Sequence, residues 1–378
     1  LKLICRERPA NGNALELARH LTEHTDFQNA PQARGWLDYT TQDGKRFPLV
    51  MVRTYAPNQT HASEQVRDEL SRFFDDLFAH ASNHLETPEI PLEPLISLID
   101  RPAPAAAAEL FGRYLESAEL LGRRVAELHE ALADASTDPE FEPERFTTLK
   151  QRAAYQSMRN AALPTLHMLK DACPSLDEDT RRLVTELLDR EDEMLAQFEL
   201  LTSFKLDSVR IRCHGHLVLD TILWTGRDYI FTDFEGDPAG RLAELRLKHC
   251  PLVDVAALLL DFNRASTTTV TDQIGAGALM HETPGPDRLL NWAAFWYTWI
   301  GVSMLRAYVE RARQAPVALL PDDDDALATL FHAKMLDRTL GDLRLTLIRH
   351  PGEIGLAVRR VLRLLTVGRA VRRGSATV

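Results

Sequence analysis

Residues 211–238 read IRCHGHLVLDTILWTGRDYIFTDFEGDP: a strand, a loop, a second strand and an acidic turn. His214 and His216 stand two apart, so on an extended backbone they share a face, and with Asp233 they could ligate a divalent metal. No further ligand is specified, and the simpler reading is a structural His214 beside a loop His216. An imidazole with an unperturbed pKa of about 6.5 could also act as a general base. Trp292, Trp296 and Trp299 recur at i, i+4 and i+7 on one helix face, a stripe that packs a core or stacks on a sugar, packing being the commoner use. Residues 322–325, four aspartates after Pro321, complement a helix dipole and are not read as a metal site. There is no G-x-S-x-G, P-loop or G-x-G-x-x-G, so serine hydrolysis, Walker-type ATP hydrolysis and Rossmann chemistry have no support.

The elements around these residues follow from periodicity. LKLIC reads as a short strand, and residues 14–23 as a helix with Leu15, Ala18 and Leu21 on one face. GWLDYTTQDGKRFPLVMVRTY reads as a hairpin turning at Asp43-Gly44. From residue 57 the character becomes helical. An amphipathic helix is expected over 64–81, a proline-rich loop or linker over 87–104, and helices over 105–133 and 146–170. One long charged helix over 177–201 leads into the motif. Beyond it come 253–263, a Thr/Gly/Pro-rich loop over 267–286, and helices over 286–314, 322–348 and 355–367. No internal repeat interrupts this order. The arrangement is a small β-rich lobe, a hinge and a large helical lobe.

At 378 residues the chain can bury a large core in two lobes or domains. Its net charge of −11 argues against nucleic-acid or anionic-membrane partners, which require a basic face. Cys5, Cys173, Cys213 and Cys250 form no C-x-x-C pair, as expected of reduced thiols in a cytoplasmic protein. The longest apolar stretch, 292–305, is shorter than the roughly 20 residues needed to span a bilayer. No secretory signal opens the chain. Leu1 is not methionine, and a strand at once suggests an internal fragment.

Several segments, in this order and spacing, resemble the maltokinase family, especially the form fused behind trehalose synthase. They are LKL with NALELARHLTEH, APNQ with DELSRFF, LLGRRVAELHEAL, LKQRAAYQSMRN, DFEGDPAGRLAELRLKHCPLVDVAALLLDF and HPGEIGLAVRRVLRLL. The resemblance implies an α+β, protein-kinase-like (aminoglycoside phosphotransferase-like) fold. A partial β-rich N-lobe would cover 1–56, and a helical C-lobe 57–378 with the catalytic-loop remnant at 211–238. The implied reaction is ATP-dependent phosphorylation of the anomeric hydroxyl of maltose, feeding α-glucan synthesis, with ATP and Mg²⁺ as cofactors. Implied partners are maltose or a related α-glucoside and a fused or associated trehalose synthase domain.

By position, the resemblance makes Lys2 the phosphate-binding lysine and Glu16 its helical partner. Val52 and Tyr55 fall in the adenine hinge over 51–55, which could equally be a plain half-buried strand. Asp233 matches the metal-binding aspartate, with Glu235 near metal and sugar. Substrate contacts fall to Glu235, Asp254, Trp292, Trp296 and Lys334. The family's His-Gly-Asp-Tyr-His-Leu-Gly-Gln becomes His214, Gly215, His216, Leu217, Val218, Leu219, Asp220, Thr221. His216 thus stands at the catalytic aspartate and Thr221 at the second metal ligand, with Asp220 one place away as a conceivable substitute. Further departures are Val253 and Leu260, where the family has arginines, and residues 333–338, where a glutamate and a tyrosine are lost. The expectation is a maltokinase-like domain whose transfer is impaired or lost. The alternative is an inactive kinase-fold partner of an attached trehalose synthase.

Overall fold

The computed structural model describes residues 2–3, 10–42, 46–79, 88–134, 138–236, 246–275 and 286–375. The first principal elements are β1 (Lys2–Leu3), α1 (Ala10–Glu23), β2 (Ala33–Thr40), β3 (Arg46–Arg53), β4 (Thr60–His61), α2 (Ala62–Ala79) and α3 (Ala105–Leu132). Then come α4 (Thr148–Ala172), α5 (Glu178–Leu188), α6 (Glu191–Glu199), β5 (Ile222–Trp224) and β6 (Tyr229–Phe231). Helices α7 (Leu252–Gly275), α8 (Pro286–Ala312), α9 (Asp324–Arg349) and α10 (Ile354–Ser375) complete them. Among the described residues no helix is long and apolar enough to cross a membrane.

The chain forms two compact units. The first comprises Leu1–Glu89, Pro102–Glu144 and Val209–Leu319. It begins with an antiparallel sheet in the order β1-β3-β2, in which Lys2 and Trp36 both register with Met51. Strand alternation puts Met51 inward, and it is buried with Leu15 and Ala18 of α1 and Ala33 of β2. The Thr22 hydroxyl fixes helix to sheet, donating to the Ala18 carbonyl at 2.7 Å and accepting from Ala33 N–H at 2.8 Å. The expected turn at Asp43-Gly44 lies outside the described residues. A second antiparallel sheet, β4-β5-β6, carries the motif's hairpin.

Helices α2, α3, α7 and α8 form the rest of this unit's core. A Cβ on Gly122 of α3 would lie 2.1 Å from the Met304 carbonyl of α8, so these helices meet backbone to backbone. Around the contact, Phe73 lies 6.2 Å from Trp292, and Phe111 and Tyr114 lie 6.5 and 5.8 Å from Trp296. Each such buried aromatic contributes about 1.5–3 kcal/mol.

Helix α7 corrects the loop expected from residue 267. The hydroxyls of Thr267, Thr269 and Thr271 bond back to the carbonyls of Asn263, Ala265 and Thr267 at 2.8–3.0 Å. Back-bonding lets a helix absorb threonines, and Val270 is buried. Residues 276–285 lie outside the described part.

The second unit comprises Ile90–Arg101, Arg145–Ser208 and Leu320–Val378. The single charged helix expected over 177–201 is two, α5 and α6. Arg190 at the break leaves helical geometry, φ −104° and ψ 16°. Its guanidinium pairs with Glu193 at 2.8 Å and reaches Thr366 of α10 at 3.2 Å, a tertiary demand that local periodicity does not report. Asp323 caps α9 by accepting from Ala326 N–H at 2.7 Å, the helix-start role read for this acidic run. Cys173, Cys213 and Cys250 are free thiols.

Candidate functional site

Everything here except Lys334 belongs to the first unit. Ile211 pairs with His249 through two backbone bonds of 2.9 and 2.8 Å, and the chain then turns at Gly215, φ +80°. His214 is fully buried. Its Nε2–H donates to the Thr232 carbonyl at 2.8 Å, leaving Nδ1 to accept from His216 N–H at 3.4 Å. Burial pushes its pKa down, consistent with that neutral tautomer.

Two carboxylates on one face of α7 suspend the loop. Asp254 accepts from His214 N–H at 2.8 Å, Gly215 N–H at 2.9 Å and His129 Nε2 at 3.3 Å. Seven residues on, Asp261 accepts from Leu219 N–H at 2.9 Å. Burial raises the Asp254 pKa, but the bonds from His129 and Gly215 outweigh it and the net shift is downward.

The acidic turn is fastened to this loop. Thr232 donates to the Thr221 carbonyl through N–H at 2.8 Å and Oγ1 at 3.1 Å. Asn13 of α1 donates to the Phe234 carbonyl at 3.2 Å, and the Phe234 ring lies 4.8 Å from that of His214. A Cβ on Gly215 would sit 3.5 Å from the Gly236 Cα, so loop and turn meet at two glycines. Asp233 has φ +59°, an uncommon conformation for a non-glycine residue that concentrates at functional sites. Arg53, at the end of β3, stands 3.9 Å from its carboxylate.

Other expected roles meet different partners. The Thr221 hydroxyl closes the loop, donating to the Val218 carbonyl at 2.8 Å and accepting from Val218 N–H at 3.2 Å. The Asp220 carboxylate accepts from Ser63. Asp254 is buried under the loop backbone and presents nothing to a sugar. Trp292 and Trp296, 2% and 0% exposed, lie inside the aromatic core, which corrects the sugar-wall reading in favour of packing. Glu16 takes its cations from Arg212 at 3.0 Å and from Arg246, while the Lys2 side chain lies outside the described residues. Lys334 lies on α9 in the second unit. Val52 and Tyr55, 39% and 84% exposed, remain open at the end of β3, and Glu235 and His216 are half-buried.

The two positions that the resemblance makes ligands for Mg²⁺ both carry protein partners. Asp233 stands 3.9 Å from the Arg53 guanidinium, and the Thr221 hydroxyl is bonded to Val218. Among the described residues no group of three His, Cys, Asp or Glu side chains could hold a metal ion. The His214–His216–Asp233 grouping fails because the imidazole of His214 is bonded to Thr232 and to the loop itself.

Arg212, Asn13, Asp261, His129 and Arg53 were not singled out from sequence. Arg212 is 2% exposed, bonds Glu16 and Asn13, and lies 5.0 Å from the Phe141 ring centre. A signal existed for the α7 pair: two aspartates seven apart in the apolar run LVDVAALLLDF, where charge requires a partner.

No family model matches the chain. Solved structures of glucosamine kinase are similar to it. One crystal form has a TM-score of 0.62 at 18% identity, covering 100% of this chain and 75% of that one. A second crystal form has a TM-score of 0.60 at 19% identity, covering 96% and 70%. A complex with glucosamine, ADP and inorganic phosphate has a TM-score of 0.58 at 19% identity, covering 99% and 70%. The chain has a kinase-like α+β fold. At this identity the likeness is one of fold alone.

Proposed function

We propose that this kinase-like chain is a sugar-kinase domain of the maltokinase type, with ATP and maltose as its ligands and transfer to the anomeric hydroxyl impaired or lost. The observation supporting it is the suspended loop. Asp254 and Asp261 hold the backbone from His214 to Leu219, while an imidazole, His216, stands where the resemblance places a catalytic carboxylate. An imidazole can accept a hydroxyl proton, but in its neutral form it supplies no fixed negative charge to orient that hydroxyl. The glucosamine kinase complex with glucosamine, ADP and phosphate supports a sugar and a nucleotide as ligand classes. In this reading ATP supplies the phosphoryl group when bound, against Val52, Tyr55 and Lys2, with Glu16 and Glu235 nearby. The lobe boundary near residue 56 belongs to the same proposal.

The second reading is a catalytically inactive domain that assembles with an attached trehalose synthase. The use of Thr221 and Asp254 to brace the loop favours it, since the bracing keeps the fold without needing turnover. A coupled ADP-release assay with maltose separates the two. Wild type is expected far below the roughly 1–100 per second of kinases, and the His216→Asp, Thr221→Gln double variant above wild type. Kinase-like turnover by wild type overturns the impairment. Thermal stabilisation by ATP without turnover supports the inactive domain.

A further inference from the structure

The first unit holds another concave site, of about 730 Å³, whose described walls are residues 25–29, the end of α3, Arg311 of α8 and residues 316–317. None of the loop or turn residues from 211 to 236 lines it. Its size falls within the roughly 300–1,000 Å³ of small-molecule sites.

Guanidinium and carboxylate groups alternate along one wall. Arg124 bonds Asp228 through Nε and Nη2, both at 2.9 Å, and Glu127 through Nη1 at 2.7 Å. Arg311 bonds Glu130 and stands 3.8 Å from Glu127. The side chains of Arg124, Glu127, Glu130 and Arg311 are each 27–28% exposed. They are therefore fixed by one another yet still reach solvent. The protein bonds of Arg124 use three of the five N–H donors a guanidinium carries. Such a frame has paid its ordering cost before any ligand arrives.

Charge narrows the ligand. With Asp26 and Asp134 the lining holds four carboxylates against two guanidiniums, a net of −2 that disfavours phosphates and other anions. Fixed donors alternating with fixed acceptors suit groups that both donate and accept, namely vicinal hydroxyls. Phe27, also in the lining, adds an apolar ring of the kind that packs against the C–H face of a sugar. We propose that this cleft binds a neutral oligosaccharide, at a site separate from the loop and acidic turn.

The test is calorimetric titration of the full chain with maltotriose, beside Glu130→Gln and Ala131→Trp. Glu130→Gln removes one charge of the wall. Ala131→Trp fills the cleft from its lining without touching an ion pair, and thermal melts confirm that each variant folds. The expected result is saturable binding by wild type, weakened at least tenfold in both variants and unchanged in Asp233→Asn at the acidic turn. No binding by wild type, or binding by both variants equal to wild type, overturns the proposal. Weakening by Asp233→Asn alone places the sugar at the turn and equally overturns it. Should Ala131→Trp fail to fold, Glu130→Gln decides alone. No outcome depends on phosphoryl transfer, so the cleft and the kinase reading can fail independently.

Discussion

The resemblance places Asp254 among sugar contacts, yet both its oxygens are taken by backbone N–H groups and by His129. A carboxylate so placed fixes loop shape. Replacing it with alanine leaves the buried His214 N–H and the His129 ring without their acceptor, a loss on the order of 2–4 kcal/mol. Asp254→Asn retains one acceptor oxygen and should lose about half as much. Urea midpoints measured on both variants check the ordering, and equal loss would contradict the acceptor account. The sign with pH follows from the lowered carboxyl pKa. The contribution is complete above the ordinary carboxylate range and is lost as pH falls through the depressed folded value. Glu16 makes the same point from the other side, since two arginines hold the carboxylate expected to serve a lysine.

Helices turn these individual bonds into rigid placement. Gly122→Ala would drive a Cβ into the Met304 carbonyl, and because backbone cannot swing aside, the α3–α8 contact must open. Overpacking of this kind costs about 1–3 kcal/mol, read as a lowered melting temperature, and an unchanged melt would refute the close approach. In the second unit, His332 of α9 bonds the Gln197 side-chain oxygen at 2.8 Å, and Gln197 donates to the Leu365 carbonyl of α10 at 3.0 Å. Burial lowers the His332 pKa to about 4 from 6.5. Between these values the unfolded chain binds the extra proton, so stability falls as pH drops from about 6.5 toward 4, by up to about 1.4 kcal/mol per pH unit. His332→Gln removes this component, and melting curves from pH 7 to pH 4.5 should show a shallower slope than wild type.

Across the whole molecule, a β-rich start and a helical remainder were legible in the sequence from strand and helical periodicities, while the kinase-like class came from the resemblance of its motifs and not from periodicity. Two places misled that reading. Arg190 breaks a helix to reach Glu193 and Thr366, and the threonines after residue 267 continue one by bonding back to their own carbonyls. Of the candidate site, the motif's location and the turn at Asp233 were legible. The uses of Thr221, Asp254, Trp292 and Trp296 were not, because each depends on what packs against it. If the preserved frame still binds nucleotide, ATP at about one hundred times its dissociation constant should stabilise the chain by about 2.7 kcal/mol. No shift at that concentration would leave an assembly role without ATP.

The sequence by itself determined where the elements run and which stretch gathers histidines, glycines and acids, since periodicity and turn chemistry act over a few residues. Only the tertiary structure decided which charges meet. Arg212 and Glu16 are separated by 196 positions, and Asn13 and Phe234 by 221. A buried charge or amide must find a partner wherever the fold supplies one, and no local pattern names a partner that distant. That requirement made Asp254 a brace for the loop backbone and left Asp233 opposite Arg53.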